Sequence, residues 1–300
     1  MNKANPTTAT PGDLERAAQD KMIEDNLGRI KRKILVMSGK GGVGKSTVAS
    51  YLSLLLSRNE KKVGLLDVDL HGPSIPRLMN IKGGLDMPRE GAVRPHSLSE
   101  RLSIVSLEMV LGDKDTAVIW RGPLKISAIR QFISDIDWGD LDYLVIDLPP
   151  GTGDASLSLA QSLSLTGAII VTTPQQVALS DVVRGVKMFE QLNVPILGVV
   201  ENMSYFVAPD TGKRYDIFGH GGGSKMAEEV GVDFLGEVPL EPQVRVGGDE
   251  GQPIVAAEPD SAAAQAIREV ARKIAAAVSV QNLAQSPGQF QSDPSLTVLN

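Results

Sequence analysis

The stretch Ser38-Gly39-Lys40-Gly41-Gly42-Val43-Gly44-Lys45-Ser46-Thr47 concentrates glycines, lysines and hydroxyls in an order suited to holding phosphate. Gly39, Gly44, Lys45 and Ser46 stand at the fixed positions of the pattern G-x-x-x-x-G-K-[ST]. Glycines let the backbone approach the phosphates with no Cβ in the way. Successive N–H groups and a helix N-terminus then hold the negative charge. Residues 39–47 are therefore the candidate ATP-binding loop. Lys45 is expected to reach the β and γ phosphates, facing ligand and not core, and the Ser46 hydroxyl to bind Mg²⁺.

Acids follow at spacings that suit such a loop. Leu65-Leu66-Asp67-Val68-Asp69 closes an apolar run. Asp69 is the candidate to orient an attacking water and sense the γ-phosphate, with Asp67 assisting the magnesium shell. The competing role for both is capping a helix that starts near Pro73. Asp142-Tyr143-Leu144-Val145-Ile146-Asp147 is a second apolar run ending in an acid. Asp147 fits the carboxylate that holds Mg²⁺, and Leu148-Pro149-Pro150-Gly151-Thr152-Gly153 a loop that moves with the γ-phosphate. Asp154 reads as a helix cap. Asn202, at the end of Ile196-Leu197-Gly198-Val199-Val200-Glu201-Asn202, presents a side-chain amide that matches the donor and acceptor of an adenine edge. The histidines His71, His96 and His220 are scattered singly, without metal-ligand spacing.

The elements that must position these residues are strands and helices in alternation. A buried strand is expected over 33–38 and a helix over 47–57, either side of the glycine loop. Further strands are expected over 62–66, 102–106, 143–146, 168–171, 196–200 and 234–235. Helices are expected over 125–136, 155–163, 180–192 and 262–277. The alternation predicts an α/β fold: a mostly parallel, doubly wound sheet with helices on both faces. Ligands in such sheets sit at the carboxyl ends of the strands, where every motif above falls. Residues 1–30 read as a tail and one helix, 31–280 as a single ATPase domain, and 281–300 as a disordered tail.

Composition narrows the class. The chain has 300 residues, a formal charge of −6 and no cysteine. No apolar run reaches the ~18 residues of a membrane span, and the N-terminus lacks a secretory h-region, so a cytoplasmic protein with no membrane partner is expected. The acidic balance argues against a nucleic-acid partner. Without cysteine the chain offers no disulfide and no thiolate for zinc or an iron–sulfur cluster.

Four segments together resemble the Mrp-type iron–sulfur cluster carrier ATPases, relatives of MinD, ParA and the nitrogenase iron protein. They are Lys40-Gly41-Gly42-Val43-Gly44-Lys45-Ser46, Asp67-Val68-Asp69-Leu70-His71-Gly72-Pro73-Ser74, Asp147-Leu148-Pro149-Pro150-Gly151-Thr152-Gly153-Asp154 and Glu201-Asn202-Met203-Ser204. The resemblance spans about residues 30–278. It implies a P-loop ATPase of the deviant Walker A type and a homodimer with ATP at its interface. Lys40 looks like the signature lysine that reaches the partner's nucleotide, Asp69 like the switch I acid, Asn202 like the adenine reader. Lys40, Lys45 and Asp69 are thus the catalytic set, and Ser46, Asp69 and Asp147 the magnesium set. The family is taken to pass clusters to apoprotein clients or assembly factors. Family members commonly carry C-x-x-C after the Asn-Met-Ser-Tyr segment; here the matching residues are Ala208-Pro209-Asp210-Thr211. No iron–sulfur ligands are therefore assigned. Asp210, Asp216 and His220 are the non-thiolate alternatives, although cluster iron favours sulfur.

The expected function is a dimeric, ATP-hydrolysing iron–sulfur carrier or assembly protein whose isolated chain holds no stable cluster. The alternative is a MinD- or ParA-like dimerisation switch without cluster chemistry. The segment 281–300, with no Lys or Arg, does not suit MinD-like membrane cycling. A nitrogenase-reductase-like electron donor would need thiolates.

Overall fold

The computed structural model describes residues 11–69, 72, 74–85, 92–111 and 122–285. In chain order the elements are α1 (Pro11–Gly28), β1 (Ile30–Met37), α2 (Lys45–Arg58), β2 (Val63–Asp67), α3 (Ile75–Leu78), β3 (His96–Ser99), β4 (Leu102–Ser106), α4 (Leu107–Leu111), α5 (Gly122–Asp135) and β5 (Leu141–Asp147). Then come α6 (Asp154–Ser162), β6 (Gly167–Thr172), α7 (Gln176–Gln191), β7 (Ile196–Asn202), β8 (Phe206–Val207), β9 (Arg214–Tyr215), α8 (Gly222–Glu229), β10 (Phe234–Val238), α9 (Pro242–Glu250), α10 (Ile254–Ala257) and α11 (Ala262–Gln285).

Eight strands form one sheet in the order β10-β7-β6-β1-β5-β2-β4-β3. Every pairing is parallel except β3 on β4 at the edge. The inner strands carry continuous apolar runs, over 34–37, 144–146 and 168–171, because both faces are covered there. Alternate side chains feed two cores. Ile34, Val36, Leu65, Val145, Ile169 and Val171 pack with α2, α10 and α11. Leu35, Met37, Leu66, Leu144, Ile146 and Ile170 pack beneath α1, α5, α6 and α7. The expected doubly wound α/β architecture is what the structure shows.

Several details differ from the sequence reading. The edge strand β3 and the helices α8 and α9 were not anticipated; both helices carry adjacent glycines, which erase the helical signal. The last helix does not stop before 281: α11 continues to Gln285, and residues 286–300 lie outside the described residues, as do 1–10 and His71. Gly153 holds the N-cap position of α6, so Asp154 is the first helical residue and not its cap. Near Pro73 the helix is only the single turn α3, capped by neither Asp67 nor Asp69.

Candidate functional site

The phosphate loop is the turn between β1 and α2. It tightens through Gly44, which takes the left-handed conformation (φ 82°) as the N-cap of α2 and accepts the Val48 N–H through its carbonyl at 3.0 Å. A side chain there would be strained by that φ and would overlap the Asn202 amide. Asn202 donates to the Val43 carbonyl at 2.9 Å, so the end of β7 braces the loop. On the other flank, a Cβ on Gly39 would overlap Asp181 of α7. The loop is held from both sides before any ligand arrives.

Parallel register brings the acids to it. Asp147 pairs with Val36 in β1 and with Asp67 in β2, and Asp67 in turn pairs with Ser106 in β4. All of them lie at the carboxyl ends of their strands. Lys45 Nζ donates to Asp147 Oδ1 at 2.7 Å and lies 3.8 Å from Asp69 Oδ2. Ser46 Oγ donates to Asp147 Oδ2 at 2.5 Å. Lys45 is thus buried among carboxylates, 6% exposed, where the sequence placed it toward ligand only. Asp67 accepts from the Asp69 N–H at 3.0 Å and from Ser106 Oγ at 3.1 Å.

The electrostatics follow from burial. Desolvation pushes the Asp147 carboxyl above its ordinary range, opposed by the Lys45 ammonium and the Ser46 hydroxyl. Burial first, and Asp147 second, raise Asp67 to about 7. Crowded carboxyls with, among the described residues, a single close ammonium make a site that gains from added positive charge.

A cavity of about 360 Å³ opens over this cluster, lined by Ser38, Gly41, Gly42, Gly44 to Thr47, Asp69, Ser74 and Pro150. The loop after β5 abuts it: the Gly151 N–H donates to the Ser38 carbonyl at 2.7 Å. A second cavity of about 370 Å³ shares Gly44, Thr47 and Ser74 and runs on past Asn202, Met203, Pro239 and Leu240. A polar compartment joined to a more apolar one suits a triphosphate attached to a nucleoside. The structure brings Lys45, Ser46, Asp69 and Asp147 together and sets Asn202 on the wall of the second compartment.

Magnesium suits these residues. It takes hard oxygen ligands, commonly one or two carboxylates with substrate phosphates and waters. The Ser46 hydroxyl and Asp147 carboxylate offer such a set. Among the described residues no group of three or more His, Cys, Asp or Glu side chains could hold a metal unaided.

Lys40 lies on the outer side of the loop and donates to Gln175 Oε1 at 2.8 Å. Gln175, Asp181 and Ser106 touch the loop or its acids, and sequence spacing singled out none of them. Only the sheet order brings them near.

The segment matching the C-x-x-C position is an exposed hairpin. Ala208 to Thr211 form the tip between β8 and β9, closed by the Ala208 N–H to the Lys213 carbonyl at 3.0 Å. Val207, Tyr215 and Ile217 are exposed there. With no cysteine in the chain, these residues do not fit a thiolate-held cluster.

Comparison with known proteins agrees with this geometry. A model of the family described as "ParA: NUBPL iron-transfer P-loop NTPase" matches residues 29–275. An iron-sulfur cluster carrier protein of Deinococcus radiodurans is 49% identical over 280 residues, covering 93% of this chain and 78% of its own. A nucleotide-binding protein of Archaeoglobus fulgidus, solved in complex with ADP, is 38% identical with a TM-score of 0.70, over 81% of this chain and 94% of its own. The cell division ATPase MinD of Pyrococcus furiosus superposes with a TM-score of 0.60 at 24% identity, over 81% and 98%, a likeness of fold alone.

Proposed function

This chain belongs to the NUBPL iron-transfer family of P-loop NTPases, and from that premise we propose that it is a dimeric, magnesium-dependent ATPase serving iron–sulfur assembly in the cytoplasm. The observation that carries the reading is the cluster of Lys45, Ser46, Asp69 and Asp147 beneath the phosphate cavity. The ADP held by the Archaeoglobus relative supports the nucleotide, and the likeness to an iron-sulfur cluster carrier protein supports the pathway.

In this reading Lys45 exchanges Asp147 for oxygens of the β and γ phosphates. Ser46 and Asp147 would hold magnesium, which would supply positive charge to the phosphates when bound. Asp69 accepts a hydrogen bond from the water that attacks the γ-phosphorus. The bond from that phosphorus to the ADP oxygen breaks, and the water's proton leaves with the phosphate. Asn202 reads the base. Lys40 leaves Gln175 to contact the nucleotide of the partner subunit.

Cluster carriage by the isolated chain is not part of the proposal, because thiolates are absent. The chain's share is the ATP-driven change of shape, with cluster ligands supplied by a client or assembly factor. The test is phosphate release from purified protein with ATP, with and without Mg²⁺, beside mass measurement in each nucleotide state. Magnesium-dependent turnover with a doubling of mass on ATP supports the reading. Protein that neither binds nor turns over ATP refutes it.

A further inference from the structure

Glu201 is fully buried, yet the scheme above gives it no task. It precedes Asn202 on β7, and neighbours on a strand point to opposite faces. Asn202 faces the phosphate loop, where it holds the Val43 carbonyl at 2.9 Å. Glu201 faces the other way. Its Oε1 accepts from Ser204 Oγ at 2.6 Å, and its Oε2 accepts the backbone N–H of Gly223 at the start of α8.

The fit around the carboxyl group is tight. A Cβ on Gly223 would lie 2.9 Å from Glu201 Oε2 and 3.0 Å from Glu201 Cβ. Immediately before it, a Cβ on Gly222 would lie 2.8 Å from the Pro174 carbonyl. The start of α8, which follows the hairpin, is therefore seated between Glu201 and Pro174. Both seats lead back to the phosphate loop: Glu201 through Asn202 to Val43, and Pro174 through Gln175 to Lys40. The outgoing leg is tied to the same strand, since Met203 takes a positive φ of 55° and Ser204 follows it into the Glu201 bond.

We infer that Glu201 is a positioning residue that couples the phosphate loop to the hairpin of residues 205–220 and to the start of α8. A triphosphate in the loop displaces Asn202, β7 carries the displacement, and Glu201 re-aims the hairpin toward its partner. The inference rests on the proposed nucleotide site, but the coupling is a property of the fold and is reciprocal.

Hydrogen exchange on the full chain tests it. Without nucleotide, Glu201→Gln replaces the carboxylate acceptor of the Gly223 N–H with a neutral amide oxygen, whose hydrogen bond is about half as strong. Exchange over 222–227 is expected to rise about tenfold or more. If the coupling is real, exchange over 39–47 rises as well, by about threefold or more. A change confined to 222–227 makes Glu201 a local cap and overturns the inference. With a slowly hydrolysed ATP analogue and Mg²⁺, wild type is expected to gain protection over both 39–47 and 205–227. The variant is expected to keep the first and lose the second. Wild type protected over 39–47 alone overturns the inference. Wild type with no protection over 39–47 refutes the nucleotide reading, and the nucleotide-free comparison still decides the coupling. If Glu201→Gln does not fold, Ser204→Ala removes one bond to the same carboxyl group and is expected to give the same pattern at smaller amplitude.

Discussion

Lys45→Ala is expected to abolish ATP turnover, but the structure adds a cost to stability that the sequence did not announce. Lys45 Nζ is 2.7 Å from Asp147 and 3.8 Å from Asp69, with Asp67 adjacent in register. Removing the ammonium leaves buried carboxylates facing one another. Breaking a buried pair this way costs about 3–5 kcal/mol. Asp67 already takes up a proton near pH 7 in wild type, so the variant's escape is to protonate a further aspartate. Starting from the ordinary value of 3.8, that escape costs about 4 kcal/mol at pH 7 and under about 2 kcal/mol at pH 5. The cheaper route governs, so the loss is capped near those values. The sign follows from proton counts. The folded variant holds a proton that the unfolded chain releases above its ordinary carboxylate range, so the variant's deficit grows as pH rises from 5 to 7. Urea unfolding of both proteins in EDTA, without nucleotide, at both pH values measures this. A deficit below about 1 kcal/mol at pH 7, or one independent of pH, refutes the argument that Lys45 neutralises this cluster.

Three further outcomes are expected. Asp69→Asn keeps the phosphate cradle and loses the acceptor for the water, so kcat should fall about a hundredfold or more while the KM for ATP moves little; equal loss in both would make Asp69 a binding residue. Lys40→Ala should leave ATP binding to the monomer intact and remove the ATP-dependent doubling of mass in size-exclusion light scattering, and a normal dimer would refute its role across the interface. The double variant Ala208→Cys, Thr211→Cys places a thiolate pair on the hairpin tip, hence the usual four-thiolate set across a symmetric dimer. It should gain cluster absorbance on anaerobic reconstitution while wild type stays blank; stoichiometric iron and sulfide on wild type would overturn the ligand argument.

The sheet was legible because its strands are apolar on both faces, and a run such as Leu35-Val36-Met37 has no other stable home. The phosphate loop was legible because its chemistry is local: Gly44 and Lys45 act through the backbone turn they occupy. What stayed hidden depends on strand order. Ser106 lies far from Asp67 in sequence and meets it only because β2 and β4 are neighbours in the sheet. Gln175 was hidden for the same reason, since it meets Lys40 through the pairing of β6 with β1. The burial of Lys45 was hidden because a lysine in a phosphate motif reads as ligand-facing, and nothing local says that Asp147 takes the ammonium at 2.7 Å. Helices α8 and α9 were lost to glycines that pattern reading treats as breakers but that this fold uses for close approach, as Gly223 does against Glu201.

The hairpin shows why the missing thiolates are not replaced locally. Asp216 and His220 were two of the alternatives left by the sequence, and Glu237 stands beside them. All three are engaged by Arg214. Its Nε donates to Asp216 at 3.0 Å, and its Nη2 donates to Glu237 at 3.3 Å and to His220 Nδ1 at 2.7 Å. Its guanidinium stacks over Tyr205 at 4.0 Å. An iron ion among these groups would have to displace a cation that cannot be deprotonated. The third alternative, Asp210, sits on the exposed tip, where its neighbour Thr211 donates to it at 3.4 Å. A hairpin whose hard donors are committed to a fixed arginine is organised as a surface. That organisation, together with the Glu201 anchor at its base, is why the proposed role is ATP-driven presentation of this hairpin to a thiolate-bearing partner.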